Sequence, residues 1–203
     1  MKVLHVGATG TIGGAVAAAL EAQGYEVVRV GLQEGDYQAD LADKATIAAL
    51  YDAVEEIDAV VCTAGVARFG SLDELGDDDF SASLENKLMG QVDLVRLGLG
   101  RVRAGGSFTL TSGTLSQRPT PGTTAVAMTG AALEGFVRAA ALDLEGRYRI
   151  NVVSPGWVAE SRLAAGLDPM PGIWAADLAR YYLKCVAGEV SGEVLEAEDA
   201  MAD

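Results

Sequence analysis

The feature that most narrows the possible folds is a strand that runs directly into a glycine turn and then a helix. Val3 to Val6 is short, apolar and rich in valine. It leads into Gly7-Ala8-Thr9-Gly10-Thr11-Ile12-Gly13, from which a helical pattern departs over Thr11 to Ala22. Gly7 can make the tight turn, Gly10 lets a pyrophosphate approach the backbone with no Cβ in the way, and Gly13 lets helix and strand pack closely. The free N–H groups at the helix start then form an anion site. With the three glycines, Thr9, Thr11 and Ile12 complete the expected cofactor loop. The plain alternative is a tight turn without a ligand.

The rest of the chain repeats that alternation. Glu26 to Val30, Tyr37 to Ala39, Ala59 to Thr63, Ser107 to Thr111, Ile150 to Val153 and Gly192 to Glu196 read as strands. Between them lie helical stretches over Thr11 to Ala22, Lys44 to Glu55, Asp77 to about Leu99, Thr123 to Glu145 and Ala175 to Val186. Gly24 ends the first helix. Ala59 to Thr63 is almost continuously apolar, as a strand buried on both faces of a parallel sheet should be. Asp77-Asp78-Asp79 reads as a helix entrance that complements the dipole, because successive residues point about 100° apart. Ser154 to Pro171 reads as a loop, and the tail after Ala197 as frayed. No repeat or linker divides the chain, so the reading is one α/β domain over 1–203: a doubly wound parallel sheet of about seven strands with helices on both faces.

Composition excludes several functions. Twenty-nine acidic residues against 15 basic give a net charge of −14, which repels nucleic acid and anionic lipid. Neither is an expected partner, and no apolar run approaches the length of a membrane span. Cys62 and Cys185 form no metal-ligand spacing, so no metal is expected and both read as reduced core thiols. Met1-Lys2-Val3-Leu4 runs straight into the first strand and leaves no room for a signal peptide, which points to the cytoplasm.

These motifs, in this order, resemble the short-chain dehydrogenase/reductase family, a Rossmann-type fold, over nearly the whole length. The glycine loop resembles the family's cofactor loop. Asp40-Leu41 matches its acidic-apolar pair beside the adenine. Cys62-Thr63-Ala64-Gly65 is similar to its Asn-Asn-Ala-Gly motif in the last two positions, and Asn86 followed by Gly90 resembles its helix-four asparagine motif. Ile150 to Val158, including Pro155, Gly156 and Val158, resembles its sixth strand and nicotinamide-side loop, and Ala131 to Arg138 its fifth helix. The resemblance implies a nicotinamide dinucleotide, a small-molecule substrate and a homodimer or homotetramer built from the fourth and fifth helices. At the end of the second strand, Val30-Gly31-Leu32-Gln33 offers neither the carboxylate that would bind the ribose of NAD nor a cation for the extra phosphate of NADP. The missing acid inclines the reading to NADP, with NAD as the alternative.

The chemistry of the resembled family depends on a Tyr, a Lys four residues later and a Ser upstream. The match over Ala131 to Arg138 places Val126 and Gly130 at the Tyr and Lys positions, and none of the six tyrosines has a lysine four residues on. Thr111-Ser112-Gly113 falls where the Ser occurs, with either Ser112 or Gly113 in register. The remaining catalytic candidates are Ser112, Asn86 and Lys87. Lys87 is the cation nearest the asparagine motif, although a solvated helix-surface lysine is the plainer reading. His5 reads as a core residue, Trp157 and Trp174 as pocket lining or packing, and Arg118 as a solvated loop side chain or an anion contact. Two functions fit: an oxidoreductase acting on a small carbonyl, enone, quinone or alcohol, and a dinucleotide-binding sensor without turnover.

Overall fold

In the computed structural model, which describes residues 1–197, seven parallel strands form one sheet in the order β3-β2-β1-β4-β5-β6-β7. The strands are β1 (Lys2–Val6), β2 (Glu26–Gly31), β3 (Tyr37–Gln38), β4 (Ile57–Cys62), β5 (Val102–Thr111), β6 (Arg149–Pro155) and β7 (Val194–Ala197). The helices are α1 (Thr11–Ala22), α2 (Lys44–Ala53), α3 (Asp77–Ser83), α4 (Gly90–Gly98), α5 (Thr124–Asp143), α6 (Ala159–Ala164) and α7 (Ala175–Ala187). A π-helical segment, Leu84–Met89, joins α3 to α4.

Every parallel connection needs a crossover, and the crossovers cover both faces of the sheet. The period-two alternation of the strands sorts their side chains between two cores. Leu4, Val60, Cys62, Phe108, Ile150 and Val152 pack in one core with residues of α2, α4 and α5. Val3, Ala59, Val61 and Val153 pack in the other with residues of α1 and α7. A one-residue slip in β4 would exchange the two sets, so its pairing with β1, Val6 opposite Cys62, is strongly fixed.

The ends of the elements have local causes. Gly24, at φ +78°, closes α1, and its amide donates to the Glu21 carbonyl at 2.8 Å. Asp43 caps α2, its carboxylate accepting from the Ala45 amide at 2.9 Å. The Asp79 carboxylate accepts from the Gly76 amide at the start of α3, as an acidic helix entrance should. The C-terminus of α7 is closed from outside the helix. The Arg149 guanidinium on β6 donates to the carbonyls of Cys185 at 2.7 Å and Val186 at 2.9 Å.

Several boundaries differ from the sequence reading. The single helix expected from Asp77 to about Leu99 is α3, the π segment and α4 in succession. The expected Ser154 to Pro171 loop contains α6, a six-residue helix too short for periodicity to reveal. β5 and β6 begin earlier than expected because parallel pairing extends them past the apolar runs. The tail after Ala197 lies outside the described residues.

Candidate active site

Strand order reverses at β1, which has β2 on one side and β4 on the other. In doubly wound sheets ligands bind outside the carboxyl ends of the strands at such a point. A cleft of about 250 Å³ opens there, and the expected Gly7, Thr9, Gly10, Leu32, Asp40, Leu41, Ala64, Gly65 and Asn86 line it together. Val6, Gly31, Ala39, Thr63 and Val66, none of them an expected site residue, complete the wall.

The glycines of the loop do different work. Gly7 adopts φ +92°, and a Cβ there would lie 2.6 Å from the Ala64 amide nitrogen. A Cβ on Gly13 would fall 1.8 Å from the Gly7 carbonyl oxygen, so Gly13 is a packing residue rather than a wall of the cleft. Gly10 faces open space: a Cβ there would have only the Gly7 carbonyl oxygen within 4 Å, at 3.5 Å. It is also the N-cap of α1 and provides no side-chain acceptor, and the first turn carries no acid. The start of α1 therefore presents uncapped amides and the positive end of its dipole to the cleft, which fits a diphosphate. Thr11 is exposed at this start, while Ile12 turns to a second pocket.

His5 lies beneath the loop, fully buried on β1. Its Nε2 is 3.0 Å from the Thr63 hydroxyl and its Nδ1 has no partner. Burial, reinforced by the Arg29 charge, pushes its pKa down to about 3, so the ring is neutral. It is a core residue, as expected, although only one of its nitrogens is satisfied.

The second pocket, about 230 Å³, brings Ile12, Ser112, Pro155, Gly156 and Val158 together with Val126, Leu115, Thr114, Ser161 and Gly113. Phe69 and Trp157 form its aromatic side, with ring centroids 6.4 Å apart and planes 27° apart. Neither Phe69 nor Ser161 carried a sequence signal, because both sit in irregular or newly revealed segments. Among the described residues lining this pocket, the polar side chains are hydroxyls and the Trp157 indole, and none is a carboxylate, imidazole, amine or phenol.

Ser112 borders the pocket, but its hydroxyl donates to Glu134 Oε1 at 3.1 Å. A Cβ on Gly113 would approach nothing closer than the Pro155 carbonyl, at 3.7 Å. Position 113 thus has room for a side chain and carries none, while Ser112 turns toward the protein. Glu134, on α5, is the residue the sequence reading missed. Its carboxylate is buried and accepts from Ser116 at 2.6 Å, Ser112 at 3.1 Å, Gln117 Nε2 at 3.3 Å and Ser154 at 3.4 Å, with Arg138 3.9 Å away. Four donors from two strand ends and a loop converge on one anion, which fixes the floor of the pocket. A lone Glu in an alanine-rich helix shows none of this in sequence.

Asn86 and Lys87 sit in the π-helical segment. The Asn86 carbonyl oxygen accepts from the Val66 amide at 2.8 Å and ties the segment to the cleft wall. Lys87 is half-buried rather than freely solvated as the sequence favoured: its Cδ lies 2.7 Å from where a Cβ on Gly65 would be. Desolvation lowers its pKa below the ordinary lysine value. The turn of π-helix changes the angular spacing on which an exposed placement depended. Trp174 caps α7 and lies outside both pockets, and Arg118 pairs with Glu196 at 3.4 Å.

A diphosphate-fitting helix start at the switch point of a parallel sheet, with Ile12 of the same loop turned to an apolar pocket, defines a dinucleotide-binding α/β protein of short-chain dehydrogenase type. The family described as enoyl-(acyl carrier protein) reductase matches residues 7–191, and the chain belongs to this short-chain dehydrogenase/reductase family. It is 28% identical over 145 residues to 2,3-dihydro-2,3-dihydroxybenzoate dehydrogenase of Escherichia coli K12, covering 68% of this chain and 56% of that enzyme. The chain thus spans about half the length of the named enzymes it matches first. Among solved structures, the protein lin1944 from Listeria innocua is 35% identical with a TM-score of 0.92, covering 97% of this chain and 99% of that one. A small-chain dehydrogenase in complex with NADPH is 26% identical with a TM-score of 0.86, covering 98% and 96%.

Proposed function

We propose that this protein is an oxidoreductase that uses NADP(H), in preference to NAD(H), and acts on a small carbonyl, enone, quinone or alcohol. The observation that carries the reading is the uncapped start of α1, whose Thr9 and Gly10 line the switch-point cleft and whose Ile12 lines the apolar Phe69–Trp157 pocket. The preference for NADP(H) is supported by a similar structure described with NADPH and by the lack of a carboxylate at Gly31-Leu32. Asp40, the acid on the cleft wall, is engaged locally, with Oδ1 accepting from the Ala42 amide at 2.9 Å.

A nicotinamide coenzyme, when bound, supplies or takes up hydride. The protein's own residues do the rest. The amides at the uncapped start of α1 would hold the diphosphate, Ile12 and Val158 would wall the reacting end, and Phe69 with Trp157 would stack on a planar substrate and exclude water. Ser112 is spent on Glu134, and Val126 and Gly113 provide no proton, so the site favours acceptors whose reduced form needs no strong acid. Loss of general acid catalysis costs about 10² to 10⁴ in rate, so turnover is slowed but not abolished. The same lack of a proton donor favours a second reading, a coenzyme-binding sensor without turnover.

The test is a fluorescence titration of the purified protein with NADPH and NADH, followed by a screen of enones, quinones and ketones for coenzyme oxidation. Tighter binding of NADPH with oxidation by enones or quinones is expected. Tight binding with no turnover would establish the sensor, and no binding of either coenzyme would overturn both readings.

A further inference from the structure

Lys87 holds an ammonium group in a crowded place without an acceptor. Among the described residues, no hydrogen bond or ion pair reaches its amine. The ionisable neighbour is the Cys62 thiol, whose own pKa burial pushes up to about 11, so it is neutral near pH 7 and offers no counter-charge. The side chain is half-buried, its stem packed against Gly65 and its amine left without a protein acceptor, so a ligand in the adjoining cleft can provide one.

The surroundings are shaped around this side chain. Gly65 adopts φ +127°, in the left-handed region, and a Cβ at that position would press on the lysine stem. Gly65 itself lines the coenzyme cleft, as does the neighbouring Asn86. One helical turn further on, the Gln91 side chain donates to the Lys87 carbonyl at 3.1 Å and to the Thr111 carbonyl at 3.0 Å, and accepts from the Thr111 amide at 2.9 Å. The π segment is thereby clamped to the carboxyl end of β5.

Resting on the coenzyme-binding reading above, we propose that the Lys87 amine is a coenzyme-binding group that donates to oxygens of the bound dinucleotide's ribose–phosphate chain beside Gly65 and Asn86. The coenzyme provides the acceptors that the protein lacks there. No described residue lining the cleft is cationic, and Lys87, packed on the lining Gly65 and next in sequence to the lining Asn86, brings a positive charge beside it.

The experiment is a titration of wild type, Lys87→Met and Lys184→Met with NADPH, without substrate, with each variant's fold checked by circular dichroism. Losing one charge-assisted hydrogen bond is expected to weaken binding about 10- to 100-fold in Lys87→Met, whereas Lys184 on α7, outside the cleft, leaves it unchanged. In wild type, saturating NADPH is also expected to protect Lys87 from acetylation by an amine-directed reagent, read by peptide mass spectrometry. Equal affinity in Lys87→Met, or equal labelling with and without NADPH, overturns the proposal while leaving the coenzyme reading intact. Failure of wild type to bind NADPH or NADH overturns both.

Discussion

Replacing Glu134 by Gln tests whether one buried anion organises the floor of the substrate pocket. The substitution keeps the shape and removes the charge. The Ser116 and Ser112 hydroxyls, at 2.6 and 3.1 Å, then donate to a neutral amide instead of a carboxylate. Bonds to charged groups contribute about 1.5–3 kcal/mol and neutral ones about 0.5–1.5, so each exchange costs about 1 kcal/mol. The new NH₂ must also face at least one existing donor, because Gln117 Nε2 and the hydroxyls approach both oxygens. The lost bond adds about 1 kcal/mol, for a total near 3 kcal/mol. Ser112 and Ser154 are buried and cannot turn to water for compensation. Urea denaturation of wild type and Glu134→Gln, with equal m-values, measures the difference. A loss below about 0.5 kcal/mol, the ordinary range for surface changes, would refute the role assigned to the carboxylate.

Gly13→Ala should unfold α1 from the sheet or cost more than about 3 kcal/mol in a thermal melt, because its Cβ would overlap the Gly7 carbonyl at 1.8 Å. Gly14→Ala, whose Cβ would meet nothing closer than 4.0 Å, should instead gain about 0.5–1 kcal/mol from helix propensity. His5 has its folded pKa lowered to about 3 from 6.5, so the unfolded chain binds the extra proton between those values. Its contribution is intact above pH 6.5 and falls by about 1.4 kcal/mol per unit below it. Stability measured by urea at pH 7 and pH 5 should differ by about 2 kcal/mol more in wild type than in His5→Gln. Val126→Tyr with Gly130→Lys should raise ketone reduction at least tenfold if position 126 faces the reacting centre. A folded, coenzyme-bound double variant without gain would reject that placement, and the 3.2 Å approach of a Cβ at 130 to Ser116 makes checking its fold part of the assay.

The strands and the diphosphate loop were legible because they rest on local patterns. Apolar alternation, a β-branched run and three glycines each act within a few residues of chain, and the boundaries of α1 coincide with the expected Thr11 to Ala22. Elements decided by tertiary partners were less visible. β6 runs to Pro155 because it pairs with β7, and α6 is too short to show a period. Lys87 reads as solvated on an ordinary α-helix, and the π turn resets its direction. Glu134 was invisible for another reason: its four donors come from Ser112, Ser116, Gln117 and Ser154, up to 22 residues away, and only folding brings them to one carboxylate.

The Arg149 side chain that closes the end of α7 means that this helix is completed by a residue from another element. The carbonyls of Cys185 and Val186 find their donors only when β6 is already in the sheet. The last turn of α7 and the start of β6 therefore gain and lose order together. In hydrogen exchange the amides of β6 and the final turn of α7 should open as one cooperative unit, not as separately fraying ends.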